Sequence, residues 1–119
     1  MHEIGIVRSL CKTVIDYAKA KGVTRVEQIV CQVGELSLVI PQYVMDIYPV
    51  VTKGTELEGV ELVLETVPGL AVCNECDEIF NVVEHEGYCP NCGSFDKEVL
   101  SGQDFTVKEI LVKDRSLPS

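Results

Sequence analysis

The chain has 119 residues, of which 19 are acidic and 10 are basic, and its formal net charge is −9. This negative charge argues against a nucleic-acid partner, because such partners are held by basic patches that neutralise phosphates. A hydrophobic fraction of 46% excludes a disordered chain. No apolar run approaches the roughly 18 residues of a membrane span, and the first residues lack the pattern of a signal peptide. We therefore expect a soluble cytoplasmic protein.

The first half of the chain alternates helical and extended patterns. Apolar residues spaced three and four apart predict an amphipathic helix that ends at Gly22, and a β-branched run predicts a strand over 26–33. Pro41 suits the first turn of a second helix that extends to about residue 54. Pro49 cannot donate a backbone hydrogen bond, so we expect a kink or a break there. The predicted core residues of the two helices are Ile4, Val7, Leu10, Cys11, Val14, Ile15, Ala18, Tyr43, Val44, Ile47, Val50 and Val51.

Two further strands are predicted over residues 60–67 and 105–112, and the polar tail 114–119 is expected to fray. Two amphipathic helices can cover one face of a three-stranded sheet. The predicted fold class is therefore α+β, with a small three-stranded sheet, two helices on one of its faces and an inserted module.

The inserted module is indicated by a change of composition over residues 70–100. This block holds seven acidic residues, one base (Lys97) and four of the six cysteines. It carries a charge of −6, whereas both flanks are nearer to neutral. We predict one domain formed by residues 1–69 and 101–119, and a second domain formed by residues 70–100.

The cysteines of the block form two C-x-x-C pairs, Cys73 with Cys76 and Cys89 with Cys92, separated by twelve residues. Two such pairs that face each other make a closed tetrahedral zinc site. Residues 80–83 suit a hairpin strand of a zinc ribbon, and residues 99–100 could begin its exit strand. With no fifth ligand in view, the expected zinc is structural.

Two other interpretations of these cysteines are less favoured. A thioredoxin-type redox pair needs a single C-x-x-C at a helix N-terminus, and disulfides are uncommon in the cytoplasm. His85 lies between the pairs, and an exposed loop histidine is favoured over a ligand role. Cys11 and Cys31 lie on a helix stripe and in a strand, where buried cysteine usually acts as a small hydrophobe.

The first residues, Met1-His2-Glu3, offer a particular metal chemistry. The α-amine, the backbone nitrogens of His2 and Glu3 and the His2 imidazole can supply four nitrogens in a plane. Square-planar nitrogen sites suit Ni(II) or Cu(II) and do not suit tetrahedral zinc. A frayed terminus without a role is the alternative.

Several short motifs together resemble the HypA/HybF family of nickel metallochaperones for nickel–iron hydrogenase. They are Met1-His2-Glu3, the stretch 33–37 (Val-Gly-Glu-Leu-Ser), the stretch 51–55 (Val-Thr-Lys-Gly-Thr) and the paired C-x-x-C block that runs into residues 93–95. The resemblance extends over roughly residues 1 to 112 in unbroken order. Each motif alone is weak, but the set is specific.

The resemblance implies a nickel-binding α/β domain with a zinc ribbon inserted between its last two strands. It implies nickel binding by His2, with Met1 and Glu3 contributing backbone nitrogens, and zinc binding by Cys73, Cys76, Cys89 and Cys92. It also implies that the protein delivers Ni(II) to the hydrogenase large subunit in partnership with a HypB-type GTPase. The sequence leaves open a monomer or a homodimer, and whether a urease is also served.

Two positions depart from the family pattern, and they are Pro49 in the second helix and Asp77 in place of a glycine after the first C-x-x-C pair. No arrangement typical of a catalytic site is visible, so an enzyme is not expected. The alternative function is a zinc-ribbon adaptor that joins proteins and has no nickel role. Glu35 is either a contact for a partner or a solvated turn residue.

Overall fold

The computed structural model describes residues 2–23 and 25–112, and of His2 it describes the backbone alone. The elements in chain order are α1 (His2–Ala20), β1 (Val26–Gly34), α2 (Pro41–Thr52), β2 (Glu61–Val67), β3 (Leu70–Cys73), β4 (Ile79–Asn81), β5 (Lys97–Val99) and β6 (Phe105–Val112). One three-stranded sheet has the order β2-β1-β6 and the other has the order β4-β3-β5. The predicted fold class is confirmed, and so are the strands predicted over 26–33, 60–67 and 105–112.

The chain divides into two compact units. The helical unit consists of Met1–Cys31, Ile40–Glu65 and Thr106–Ser119, and the ribbon unit consists of Gln32–Val39 and Thr66–Phe105. The ribbon unit therefore includes residues on both sides of the block 70–100. The domain boundaries predicted from composition remain a prediction. The predicted frayed tail 114–119 lies outside the described residues.

Helix α1 ends two residues before Gly22, in agreement with the sequence pattern. Its last turn is closed by the Val23 N–H, which donates to the Ala18 carbonyl at 2.9 Å, and by the Gly22 N–H, which donates to the Lys19 carbonyl at 3.2 Å. These two bonds form a Schellman motif, which satisfies carbonyls that have no partner inside the helix.

Of the kink or break predicted at Pro49, the break does not occur, because helix α2 runs through Pro49 to Thr52. The carbonyl that loses its N–H partner to proline belongs to Met45, and both residues are on the exposed side of the helix, where solvent can replace the donor. The opposite side is held by three buried residues spaced four apart, Val44, Tyr48 and Thr52. Burial of this side therefore keeps the helix continuous.

The predicted core of the helices needs correction at three residues. Val50 is 73% exposed, Tyr43 is 50% exposed and Ile4 is 38% exposed. Val44 is buried as predicted, and the buried side of α2 continues with Tyr48 and Thr52, each one residue after a predicted core residue. The other buried hydrophobic residues of the helices and of β1 are Val7, Leu10, Cys11, Val14, Val26, Ile29, Val30, Cys31, Val33 and Val44.

The ribbon unit is built on antiparallel pairing of β3 with both β4 and β5. Ala71 lies opposite Phe80 on one side and opposite Val99 on the other. The exit strand occupies Lys97–Val99, not residues 99–100 as predicted. Phe80 and Ala71 form a small buried cluster with Cys73 and Cys89.

Neither helix in the described ranges combines the length and the apolar composition that crossing a membrane requires.

Candidate metal centre

Two tight turns of similar geometry present the four cysteines of the ribbon unit. In the first cysteine turn (residues 73–76) the Glu75 N–H donates to Cys73 Sγ at 3.3 Å, and in the second (residues 89–92) the Asn91 N–H donates to Cys89 Sγ at 3.4 Å. The residue after each turn has a positive φ, 66° at Asp77 and 78° at Gly93. Asp77 thus adopts the conformation that glycine adopts at the matching position, at a modest steric cost.

The two turns bring the four sulfurs together, all within 4.8 Å of one another. Cys73 Sγ lies 3.5 Å from Cys92 Sγ, and Cys76 Sγ lies 3.6 Å from Cys89 Sγ. A zinc ion with four bonds of about 2.3 Å separates its sulfurs by about 3.8 Å. The spacing therefore fits a tetrahedral zinc site, and it is far too long for a disulfide, whose sulfurs are about 2.05 Å apart.

Asn91 links one cysteine turn to the other. Its side-chain Nδ2 donates to Cys76 Sγ at 3.3 Å. This bond and one from the Glu78 N–H lower the pKa of the Cys76 thiol to about 7. Both bonds stabilise the thiolate, which is the form that binds metal. Sequence reasoning missed this role, because a C-x-x-C pattern specifies the sulfurs and leaves the residues between them open.

The stretch 33–37 forms backbone hydrogen bonds with two other segments of the ribbon unit. The Leu36 N–H donates to the Gly102 carbonyl at 2.7 Å, and the Glu35 N–H donates to the Val67 carbonyl at 2.9 Å. A Cβ atom on Gly34 would clash with the Gly102 carbonyl. Glycine is therefore required at position 34 by close backbone approach.

Glu35 fastens this junction through its carboxylate. Oε1 accepts a bond of 2.8 Å from the Gly69 N–H and one of 3.0 Å from Asn81 Nδ2. These bonds lower the pKa of the Glu35 carboxyl below its usual value. Both predicted roles for Glu35, a partner contact or a solvated residue, overlooked these two internal hydrogen bonds.

The two remaining cysteines lie in the helical unit. Cys11 is 6% exposed and Cys31 is fully buried, which confirms their prediction as core residues. Burial raises the pKa of both thiols, that of Cys31 to about 11. They are therefore thiols at neutral pH and weak nucleophiles.

His85 stands apart from the sulfur cluster. Its ring meets the ring of Phe80 edge-on, with centroids 6.3 Å apart, and its side chain is 36% exposed. Among the described residues the metal-ligand cluster contains the four cysteines and no histidine. The histidine is partly packed, where we predicted an exposed loop residue.

The residues predicted to bind nickel lie at the start of α1. Helix α1 begins at His2, and the Glu3 side chain is 9% exposed in its first turn. Met1 lies outside the described residues, and the nickel site stays a prediction.

Comparison with known proteins agrees with this combination of an α+β fold and a four-cysteine ribbon. A family model described as "HypA: Hydrogenase/urease nickel incorporation, metallochaperone" matches residues 1–112. A hydrogenase maturation factor HypA from Nostoc sp. is 34% identical over 96% of this chain and 97% of its own, and one from Geobacter metallireducens is 35% identical over 95% of this chain and all of its own. The chain belongs to the HypA family.

Solved structures of similar fold are also HypA proteins. The solution structure of the Ni metallochaperone HypA from Helicobacter pylori has a TM-score of 0.66 and 18% identity, and the match covers 92% of this chain and 96% of that one. A second HypA solution structure has a TM-score of 0.63 and 20% identity, with 95% and 97% covered. At these identities the likeness establishes the fold alone.

Proposed function

We propose that this protein is a nickel carrier that binds Ni(II) at Met1, His2 and Glu3 and delivers it for the maturation of nickel–iron hydrogenase. The observation that carries the proposal is the match to a nickel-incorporation family over residues 1–112, which includes these three residues. The proposal assigns no catalytic residue.

The position of α1 supports a nitrogen site at these residues. The first four N–H groups of a helix have no partner inside it. Because α1 begins at His2, the backbone nitrogens of His2 and Glu3 can bind a metal without breaking helical hydrogen bonds. The Glu3 side chain is nearly buried, which supports a contribution from its backbone nitrogen instead of its carboxylate.

Zinc is proposed at Cys73, Cys76, Cys89 and Cys92 as a structural ion. The sulfur spacing and the three N–H groups directed at the sulfurs of residues 73, 76 and 89 support it. Bound there, zinc would hold the two cysteine turns together and leave no open coordination position.

The proposed recipient of nickel is the large subunit of a nickel–iron hydrogenase, and the proposed co-worker is a HypB-type GTPase. The printed names of the curated relatives, hydrogenase maturation factors, support the recipient. A transfer assay with radioactive nickel tests both partners. Nickel should pass to the purified large-subunit precursor, and faster when the GTPase and GTP are added.

Nickel binding is tested by calorimetric titration of the zinc-loaded full chain at pH 7.5. Wild type should bind one Ni(II) per chain, and His2→Ala should lose that binding without a change in melting temperature. One glycine added before Met1 should be equally damaging, because it moves the amine out of the chelate. Affinity should fall as the pH drops from about 8 to 6, since an α-amine (unperturbed pKa ~7.7–8.0) and an imidazole (unperturbed pKa ~6.5) must lose protons to bind.

The matched control is His85→Ala, which removes the other histidine and should leave nickel binding intact. Equal nickel stoichiometry and affinity in wild type, His2→Ala and the glycine-extended chain would overturn the proposed site. Absence of stoichiometric nickel in the wild type would favour the zinc-ribbon adaptor instead.

A further inference from the structure

Two exposed aromatic residues form a pair on the surface of the ribbon unit. The rings of Tyr88 and Phe95 lie 5.0 Å apart at 55° to each other. Tyr88 is 55% exposed and Phe95 is 59% exposed. Neither residue belongs to the small buried cluster of the ribbon unit.

The pair is held in place by the second cysteine turn. Tyr88 directly precedes Cys89, and the Cys89 N–H donates to the Ser94 carbonyl, next to Phe95, at 2.9 Å. Gly87 lies against the Phe95 ring, and a Cβ atom there would come within 2.6 Å of Phe95 Cε1. The backbone beside the two rings is thus ordered by the turn, which lowers the entropy cost of binding a partner there.

The surface that carries the pair is strongly acidic. Glu86, Asp96 and Glu98 are exposed beside it in sequence, and none of them makes an ion pair within the described part of the chain. The block 70–100 has seven acidic residues and one base. A zinc ion with four thiolates would add a further charge of about −2.

The one base of the block, Lys97, makes a cation–π contact with one ring of the pair. Lys97 Nζ lies 3.4 Å from the centroid of the Phe95 ring. It also donates to the Phe95 carbonyl at 3.1 Å. An ammonium over an aromatic face is a favourable cation–π contact, and here it occupies one face of one ring.

From this geometry and charge we propose that Tyr88 and Phe95 form a docking surface for an arginine-bearing segment of a partner protein. Guanidinium groups stack on aromatic faces and are more weakly hydrated than ammonium groups. The surrounding carboxylates attract the positive segment and raise its rate of encounter. An acidic or purely apolar partner would leave these carboxylates without compensation. The proposal does not depend on nickel binding.

The test is an NMR titration of the zinc-loaded full chain with three capped peptides of alternating glycine and a second residue. The second residue is arginine, lysine or citrulline, which is the neutral isostere of arginine. The arginine peptide should shift the ring protons of Tyr88 and Phe95 and bind about tenfold more tightly than the citrulline peptide. The lysine peptide should bind between them.

A double variant separates stacking from charge, and a single variant at Lys97 changes both in the direction that favours binding. The double variant Tyr88→Leu/Phe95→Leu keeps apolar exposed side chains and every charge, and it should weaken the arginine peptide about tenfold. Lys97→Met vacates a ring face and removes a positive charge, and it should strengthen binding of the arginine peptide. The control Ile79→Thr, at an exposed apolar residue in β4, should change nothing. Zinc stoichiometry and amide exchange verify that each variant is folded.

Equal affinity of wild type and the double leucine variant for the arginine peptide would overturn the proposal, because acidity alone would then account for binding. Concentration-dependent self-association that is lost in the double variant would also overturn it and make a second copy of the chain the occupant. Sedimentation velocity of the same samples measures this outcome.

Discussion

The helical unit and the ribbon unit bury side chains of different chemistry. In the helical unit the fully buried side chains are chiefly aliphatic, with Ile29, Leu57 and Val14 among the largest. In the ribbon unit two of the four members of the buried cluster are cysteines. Burial of apolar area can stabilise the first unit by itself, whereas the second has too little apolar area for this. We propose that a metal bound by the facing sulfur atoms supplies the missing stability.

Removal of the metal from the ribbon is expected to have the largest effect. Cys73→Ser, at a fully buried cysteine, should abolish stoichiometric zinc and unfold the ribbon unit, because structural zinc contributes on the order of 10 kcal/mol to small domains. Amide exchange should then become fast over residues 70–100 and stay slow in α1. Mass spectrometry of exchanged peptides measures both.

The matched control is Cys11→Ala, at a buried cysteine of the helical unit, which should retain one zinc per chain. Alkylation at pH 8 provides a second readout. After chelation four cysteines should react, while Cys11 and Cys31 should not, because burial raises their thiol pKa. Amide protection of residues 70–100 that persisted after complete chelation would show that the ribbon unit stays folded without metal.

Loss of aliphatic volume from the helical unit is expected to destabilise that unit and to leave zinc binding in the ribbon unit unchanged. Ile29 is fully buried in β1, and Ile29→Ala should lower the free energy of unfolding by about 2–5 kcal/mol through lost burial and a cavity. Denaturant unfolding followed by helix circular dichroism measures the loss. The zinc content should stay at one per chain, and a variant that released zinc at neutral pH would show that the two units depend on each other.

Patterns of residue type predicted much of this molecule. The β-branched runs set the strands, and the paired C-x-x-C spacing indicated the cluster that the structure assembles. Tyr48 and Thr52 are absent from the predicted core, although both are buried and the Thr52 hydroxyl donates to the Tyr48 carbonyl at 2.9 Å. Hydrogen bonds of this kind depend on backbone positions that a hydrophobicity pattern does not contain.

Side chains that bridge distant segments were also beyond the sequence pattern. Glu35 bonds to Gly69 and Asn81, which are 34 and 46 residues away. Asn91 reaches a sulfur 15 residues away. Spacing along the chain identified the four cysteines that the structure brings together, but the residues that support them are paired only by the fold.

Removal of the Asn91 amide should weaken zinc binding without unfolding the ribbon. Asn91 Nδ2 bonds to Cys76 Sγ, and loss of such an outer bond commonly costs 10–100-fold in metal affinity. Asn91→Ala should therefore release zinc at least about tenfold faster to a chromogenic chelator. Asn74→Ala is the control, because Asn74 Nδ2 bonds to Asp96 and to no sulfur. Equal release rates in the two variants would mean that the backbone donors alone stabilise the Cys76 thiolate.

The smallest expected effect concerns Glu35, whose carboxylate stabilises the ribbon unit by hydrogen bonds and not by binding metal. Its carboxyl pKa is lowered by bonds from the Gly69 N–H and from Asn81, so the folded state favours the ionised form. A lowered pKa contributes stability that is complete above the unfolded value of about 4.3 and is lost as the pH falls through the folded value. Glu35→Ala should therefore speed amide exchange at Gly69 by roughly fivefold, by the same factor from pH 6 to pH 8. Glu98→Gln, at an exposed residue of β5, should leave Gly69 unchanged. A Glu35→Ala effect that varied between pH 6 and pH 8 would mean that a group other than the carboxylate controls this junction.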